Sequence, residues 1–195
     1  MRATILYLTC SAALSLSAFA GESGERFTSV AGISIGNTTL SDIQKKLGPG
    51  RIIVTGDASS YDARISYAIR GGTIQFFQGE MNDGVGVCVT TDTRIKPRSP
   101  WPENVPMPQV NVAGLQLGIS EARFTKIVKQ PVRWRGSVAT VHFEYRVPIT
   151  DSERRDKTLQ YTKNHDFWSV WMDITGVFYK GRLIKFEIIR TTTDG

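Results

Sequence analysis

His142 and His165 are the only two histidines in the 195 residues, and each stands close to an acid. In His142-Phe143-Glu144 the histidine and the glutamate are two apart. On a strand that spacing sets both on one face, with Arg146 next along it. His165-Asp166 are neighbours and could form half of a hydrolase triad, but no strained Gly-x-Ser-x-Gly elbow is expected to supply the nucleophile. Glycoside cleavage needs two acids facing one cleft; Glu144, Asp173 and Glu187 fall in strand-like runs, and nothing in their spacing brings any two together. Zinc asks for three or four close ligands, and two histidines with Cys88 are thin material. Gly71-Gly72 and Gly84-Val85-Gly86 do not lead into a helix as phosphate loops do, so they read as hairpin glycines. The expectation is no catalytic residue, no metal ligand and no cofactor, with His142, Glu144 and Arg146 as a surface cross-strand set.

Binding has more to work with. The C-terminal half carries Trp134, Tyr145, Tyr161, Phe167, Trp168, Trp171, Phe178, Tyr179 and Phe186. In Phe167-Trp168-Ser169-Val170-Trp171-Met172-Asp173 large rings fall on both faces of one strand. One face belongs to the core, and the other has to meet a second layer or a partner. Trp, Tyr and Arg are the residues that dominate interface hot spots. The candidate binding set is therefore Trp134, Tyr145, Trp168, Trp171 and Tyr179, with Arg133 and Arg135 beside them. Trp168 or Trp171 packing beneath a helix is the competing account. The formal net charge is +6. Lys45, Lys46 and Arg51 flank a first predicted helix; Arg123, Lys126, Lys129, Arg133 and Arg135 flank a second. Those faces suit an anionic envelope component or an acidic protein. No groove-reading motif for nucleic acid is present.

The elements that must position these residues follow from periodicity. Thr39-Leu40-Ser41-Asp42 reads as a capping box opening a helix with Leu40, Ile43 and Leu47 on one stripe, stopped at Gly48-Pro49. Ser120 caps the second helix, whose stripe is Phe124, Ile127 and Val128, with Pro131 beyond its end. After each helix the period becomes two: Ile65, Tyr67 and Ile69, then Val141, Phe143, Tyr145 and Val147. Gly71-Gly72 and Tyr179-Lys180-Gly181-Arg182 are hairpin signals.

These elements recur. Val30-Ala31-Gly32-Ile33-Ser34-Ile35-Gly36 is matched in order by Val112-Ala113-Gly114-Leu115-Gln116-Leu117-Gly118, and at the same offset Pro49 falls on Pro131 and Arg51 on Arg133. The predicted fold is α+β: two tandem units, each a strand, one helix and about four antiparallel strands, with the helices covering one face of the sheets. Unit 1 spans 21–95 and unit 2 spans 109–195. Between them, 96–108 holds five of the eight prolines. It reads as a stiff connector whose Trp101 tucks onto one lobe. Unit 2 has an extra polar stretch from Pro148 to Asp166, read as a solvated hairpin extension.

Residues 1–20 read as a cleavable secretory signal. Arg2 supplies the charge, Ala3 to Phe19 is uncharged, and Ala18-Phe19-Ala20 is a small-x-small site before Gly21. Cleavage there places the chain in the periplasm or outside the cell, with no membrane-spanning segment in the mature form. It also removes Cys10 and leaves Cys88, expected to be a buried and inert thiol.

The residues Gly32, Gly36, Thr38, Leu40, Ile43, Leu47, Gly48 and Pro49, and again Gly114, Gly118, Ser120, Phe124 and Pro131, form a pattern that resembles a known repeat. It is similar to the helix-plus-sheet units of the beta-lactamase inhibitory protein family and of the small lipoprotein of the outer-membrane barrel-assembly machine. The resemblance implies joined sheets that grip a partner protein. The functional expectation is an exported, non-enzymatic binding protein of inhibitor or immunity type. The alternatives are an envelope accessory protein that binds anionic lipid, glycan or outer-membrane assembly components, and a hydrolase using His142-Glu144 or His165-Asp166.

Overall fold

The computed structural model describes residues 24–56, 61–79, 84–95, 97, 99–101, 110–156, 159 and 161–193. The signal-like segment and most of the proline-rich connector lie outside the described residues.

A 3-10 turn (Gly24–Phe27) leads into a small hairpin of β1 (Ser29–Val30) and β2 (Ile33–Ser34). Its turn residues, Ala31 and Gly32, both have positive φ, as do Ala113 and Gly114, which close a bridge between Val112 and Leu115. Helix α1 (Leu40–Leu47) begins at Thr39, whose side chain accepts from the Asp42 amide while Asp42 accepts from the Thr39 amide. That capping box satisfies two N-terminal donors that would otherwise lack partners. The chain then makes β3 (Ile53–Thr55), β4 (Asp62–Ile69), β5 (Gly72–Gly79) and β6 (Gly86–Thr90). Helix α2 (Glu121–Val128) is capped by Ser120 and ends on Lys129 in the left-handed conformation. It is followed by β7 (Arg133–Arg135), β8 (Val138–Pro148), helix α3 (Asp151–Arg155), β9 (Phe167–Tyr179) and β10 (Arg182–Thr193).

Strands β3 to β10 form one eight-stranded antiparallel sheet in the order β3-β4-β5-β6-β10-β9-β8-β7. It consists of two meanders joined through their last strands, with Phe186 opposite Val89 and Ile188 opposite Val87. Helices α1 and α2 lie on one face. Their stripes, Leu40, Ile43 and Leu47 on α1 and Phe124, Ile127 and Val128 on α2, are buried with Ile65, Phe76, Val87, Phe186, Ile174 and Val141 in a single core. Phe124 meets Phe178 edge-on at 5.5 Å, and the Tyr67 hydroxyl donates to the Gly48 carbonyl at 3.1 Å. Residues so enclosed contribute roughly 1.5–3 kcal/mol each by leaving water. The N-terminal 3-10 turn is tied to the second helix: the Arg26 guanidinium donates to the carbonyls of Ile127 and Val128, closing the C-terminal end of α2.

Trp101 is buried and meets Tyr67 edge-on at 6.0 Å, and Ser99 bridges β4 beyond the end of β3. The tryptophan of the connector therefore docks on the first meander. The stretch 148–166 differs from the expected solvated hairpin. It contains α3 and a second 3-10 turn (Tyr161–Lys163), and it buries Ile149 and Thr162. The cause is local: Thr150 and Glu153 form another capping box, and Glu153 Oε1 accepts from the Trp168 indole at 3.0 Å.

Candidate functional site

Alternation along β9 sorts its residues onto two faces. Val170, Met172, Ile174, Gly176 and Phe178 point to the helices and are buried. Phe167, Ser169, Trp171, Asp173, Thr175, Val177 and Tyr179 take the other face. The three large rings among them keep much of their surface in solvent: Phe167 45%, Trp171 47% and Tyr179 61%. Register extends this face to Arg146 opposite Ser169, Glu144 opposite Trp171, His142 opposite Asp173 and Thr140 opposite Thr175 on β8, then to Arg133 and Arg135 on β7.

The sequence candidates thus divide. Trp171, Tyr179, Arg133 and Arg135 lie on the face away from the helices. Trp134, Tyr145 and Trp168 lie on the helix side, because they pair in register with Ala139, Val170 and Val147. Trp134 packs on Phe178 at 5.4 Å, and Trp168 stacks on Tyr161 at 5.1 Å. Tyr145 is half-buried, and burial holds its hydroxyl above the usual phenol range. Phe167 and Arg146 belong to the outer face and were not among the sequence candidates. The two-residue period from Trp171 back to Phe167 is the signal that carries Phe167.

His142 Nδ1 lies 2.8 Å from Asp173 Oδ1, and the His142 ring meets Trp171 at 6.4 Å between centroids. A depression of about 540 Å³ opens beside this pair, lined by Gln130, Pro131, Arg133, Thr140, His142 and Asp173. A second, of about 330 Å³, lies at the far end of the same face between Arg146 and the 148–166 extension. Among the described residues, Arg133, Arg135, Arg146 and Glu144 make no side-chain hydrogen bond or ion pair, so their charges face outward.

His165 and Asp166 do not act together: the His165 ring stacks on Tyr161 at 3.8 Å, and Asp166 takes the Arg154 guanidinium at 2.7 Å. The letters of a Gly-x-Ser-x-Gly elbow are nonetheless present in the sequence, as Gly32-Ile33-Ser34-Ile35-Gly36, yet Ser34 sits in the two-residue strand β2, opposite Ser29. An elbow needs a sharp strand-to-helix turn, and this is a hairpin. Glu187 pairs with Lys185 at 3.1 Å. Cys88 is buried, and burial pushes its thiol up to about 11. Among the described residues no three His, Cys, Asp or Glu side chains gather to hold a metal ion, and no helix is long and apolar enough to cross a membrane.

Comparison with protein-family models, curated proteins and solved structures finds no match to this chain.

Proposed function

We propose that this chain is an exported, non-enzymatic binding protein that engages a protein partner through the outer face of β7 to β10. The observation that carries this reading is the row of Phe167, Trp171 and Tyr179 on one face of β9, each close to half exposed or more. Large rings left in water on a regular strand cost free energy that a partner's surface recovers. The unpaired charges of Arg133, Arg135, Glu144 and Arg146 flank the row and give such a contact its register.

The same reading treats the chain as two tandem copies of one unit. Its support is that each glycine motif docks alike: the Gly36 amide donates to the Val85 carbonyl at 2.9 Å, and the Gly118 amide to the Leu183 carbonyl at 2.7 Å. A helix followed by a four-strand meander, occurring twice, is also the plan that the resemblance to the inhibitory-protein repeat implies.

The test is recovery of partners from envelope and secreted fractions on immobilised protein. Trp171→Ala is expected to reduce recovery of a discrete protein by about tenfold or more, the effect of losing a central hot-spot ring. Recovery equal to wild type overturns the reading. Arg133 and Arg135 favour a second reading, an anionic envelope component. Under it, association follows acidic lipid or glycan and weakens steeply with salt.

A further inference from the structure

The 148–166 extension builds a pocket at the end of the outer face, lined by Arg146, Tyr161, His165, Asp166, Phe167 and Ser169. At about 330 Å³ it falls at the small end of the range for small-molecule sites. Its groups are of three kinds. Arg146 is a cation with no partner among the described residues. Asp166 is a carboxylate with one oxygen held by Arg154 and the other open; its side chain is 78% exposed. The third kind is the aromatic wall: Tyr161 stands between Trp168 at 5.1 Å and His165 at 3.8 Å, leaving the outer face of His165 and the exposed ring of Phe167 toward the space.

We infer that this pocket binds one acidic sugar residue, a pyranose ring carrying a single carboxylate. The carboxylate matches the Arg146 fork, which favours planar, two-pronged anions. The apolar face of the ring rests on His165 and Phe167. The hydroxyls donate to the open oxygen of Asp166 and exchange hydrogen bonds with the Ser169 hydroxyl. A compact anion such as phosphate pairs with Arg146 but has no ring to lay on His165 and Phe167. A neutral sugar uses Asp166 and the rings and leaves Arg146 unpaired. Only a hydroxylated ring with one negative charge satisfies every group. Among the described residues the matching connection of the first meander, from β4 to β5, is only the short turn between Ile69 and Gly72, which has no such wall. This inference does not rest on the protein-partner reading.

The experiment is an amide-resolved NMR titration of the purified protein with glucuronate and galacturonate, against glucose and inorganic phosphate. Saturable shifts are expected at Arg146, Phe167 and Ser169 and at the Trp168 indole with a uronate, and at least about tenfold weaker binding with glucose, which lacks the charge-assisted pair. Arg146→Gln is expected to weaken binding by at least about tenfold, the loss of a charge-assisted pair, with the spectrum otherwise that of the folded wild type. Asp166→Asn should weaken it as well. No saturable shift with either uronate, unchanged affinity in Arg146→Gln, or tighter binding in Asp166→Asn overturns the proposal. So does phosphate binding as strongly as the uronates.

Discussion

Gly36 and Gly118 occupy the same place in the two copies of the sequence motif, and substituting each by alanine separates backbone strain from packing. Both have positive φ, 82° and 87°. A left-handed residue with a Cβ costs about 1–2 kcal/mol, partly offset by the roughly 0.4–1 kcal/mol gained by stiffening the unfolded chain. At Gly118 nothing lies within 4 Å of the added carbon. Gly118→Ala should therefore lose only about 1 kcal/mol. At Gly36 the new Cβ would stand 2.9 Å from Arg190 Cδ and 3.0 Å from its Cβ and Cγ. Arg190 is 8% exposed and donates to Asn37 Oδ1 at 2.8 Å, so it cannot withdraw without giving up that bond. Overpacking of this kind adds about 1–3 kcal/mol. Gly36→Ala should lose about 2–4 kcal/mol in all. Urea unfolding with a common m-value measures both. Equal losses, or a larger loss at Gly118, would refute the packing argument.

The extension should respond to acid. The Thr150 hydroxyl and amide, and then the Trp168 indole, hold the Glu153 carboxyl below its ordinary value of 4.5. Because the folded value is depressed, its contribution is complete above that ordinary value and is lost as pH falls through the folded one. Hydrogen exchange across residues 148–166 should accelerate as pH drops from about 5 to 3 beyond its intrinsic pH trend, and Thr150→Ala should produce the same loosening at neutral pH. A wild type and a variant with identical protection would contradict the capping role. The Cys88 thiol, buried and raised to about 11, should resist iodoacetamide at pH 8 in the native protein and react promptly in urea. Rapid native labelling would contradict its enclosure. Trp171→Ala should shift the urea midpoint little compared with Trp168→Ala, whose ring is stacked on Tyr161 and bonded to Glu153; comparable losses would mean that Trp171 is structural.

Much of the local architecture was legible, because each piece had a short-range cause. The Thr39 capping box, the Ser120 cap, the Gly71 and Lys180-Gly181 turns and the buried alternation of β4 are all set within a few residues. The Thr150-Asp151-Ser152-Glu153 capping box was equally local, and it marked a helix inside what looked like a polar hairpin. The candidate face was legible only in part. Which side Trp134 takes depends on Arg133 to Arg135 pairing with Thr140 to Val138, and the His142–Asp173 contact joins residues 31 apart through strand register. Neither follows from spacing within one strand. Phe167 shares the period of Trp171, but its exposure depends on how the 148–166 extension folds beside it.

The central claim is that the outer face of β7 to β10 is where a partner protein sits. Site-specific photo-crosslinking tests it most directly, with a benzophenone residue placed at Phe167, Trp171 or Tyr179 and, for comparison, at Arg123 on the exposed side of α2. The account predicts adducts to one discrete protein from the three strand positions and none from Arg123. Adducts from Arg123 alone, or from no position in fractions that contain the partner, would contradict it.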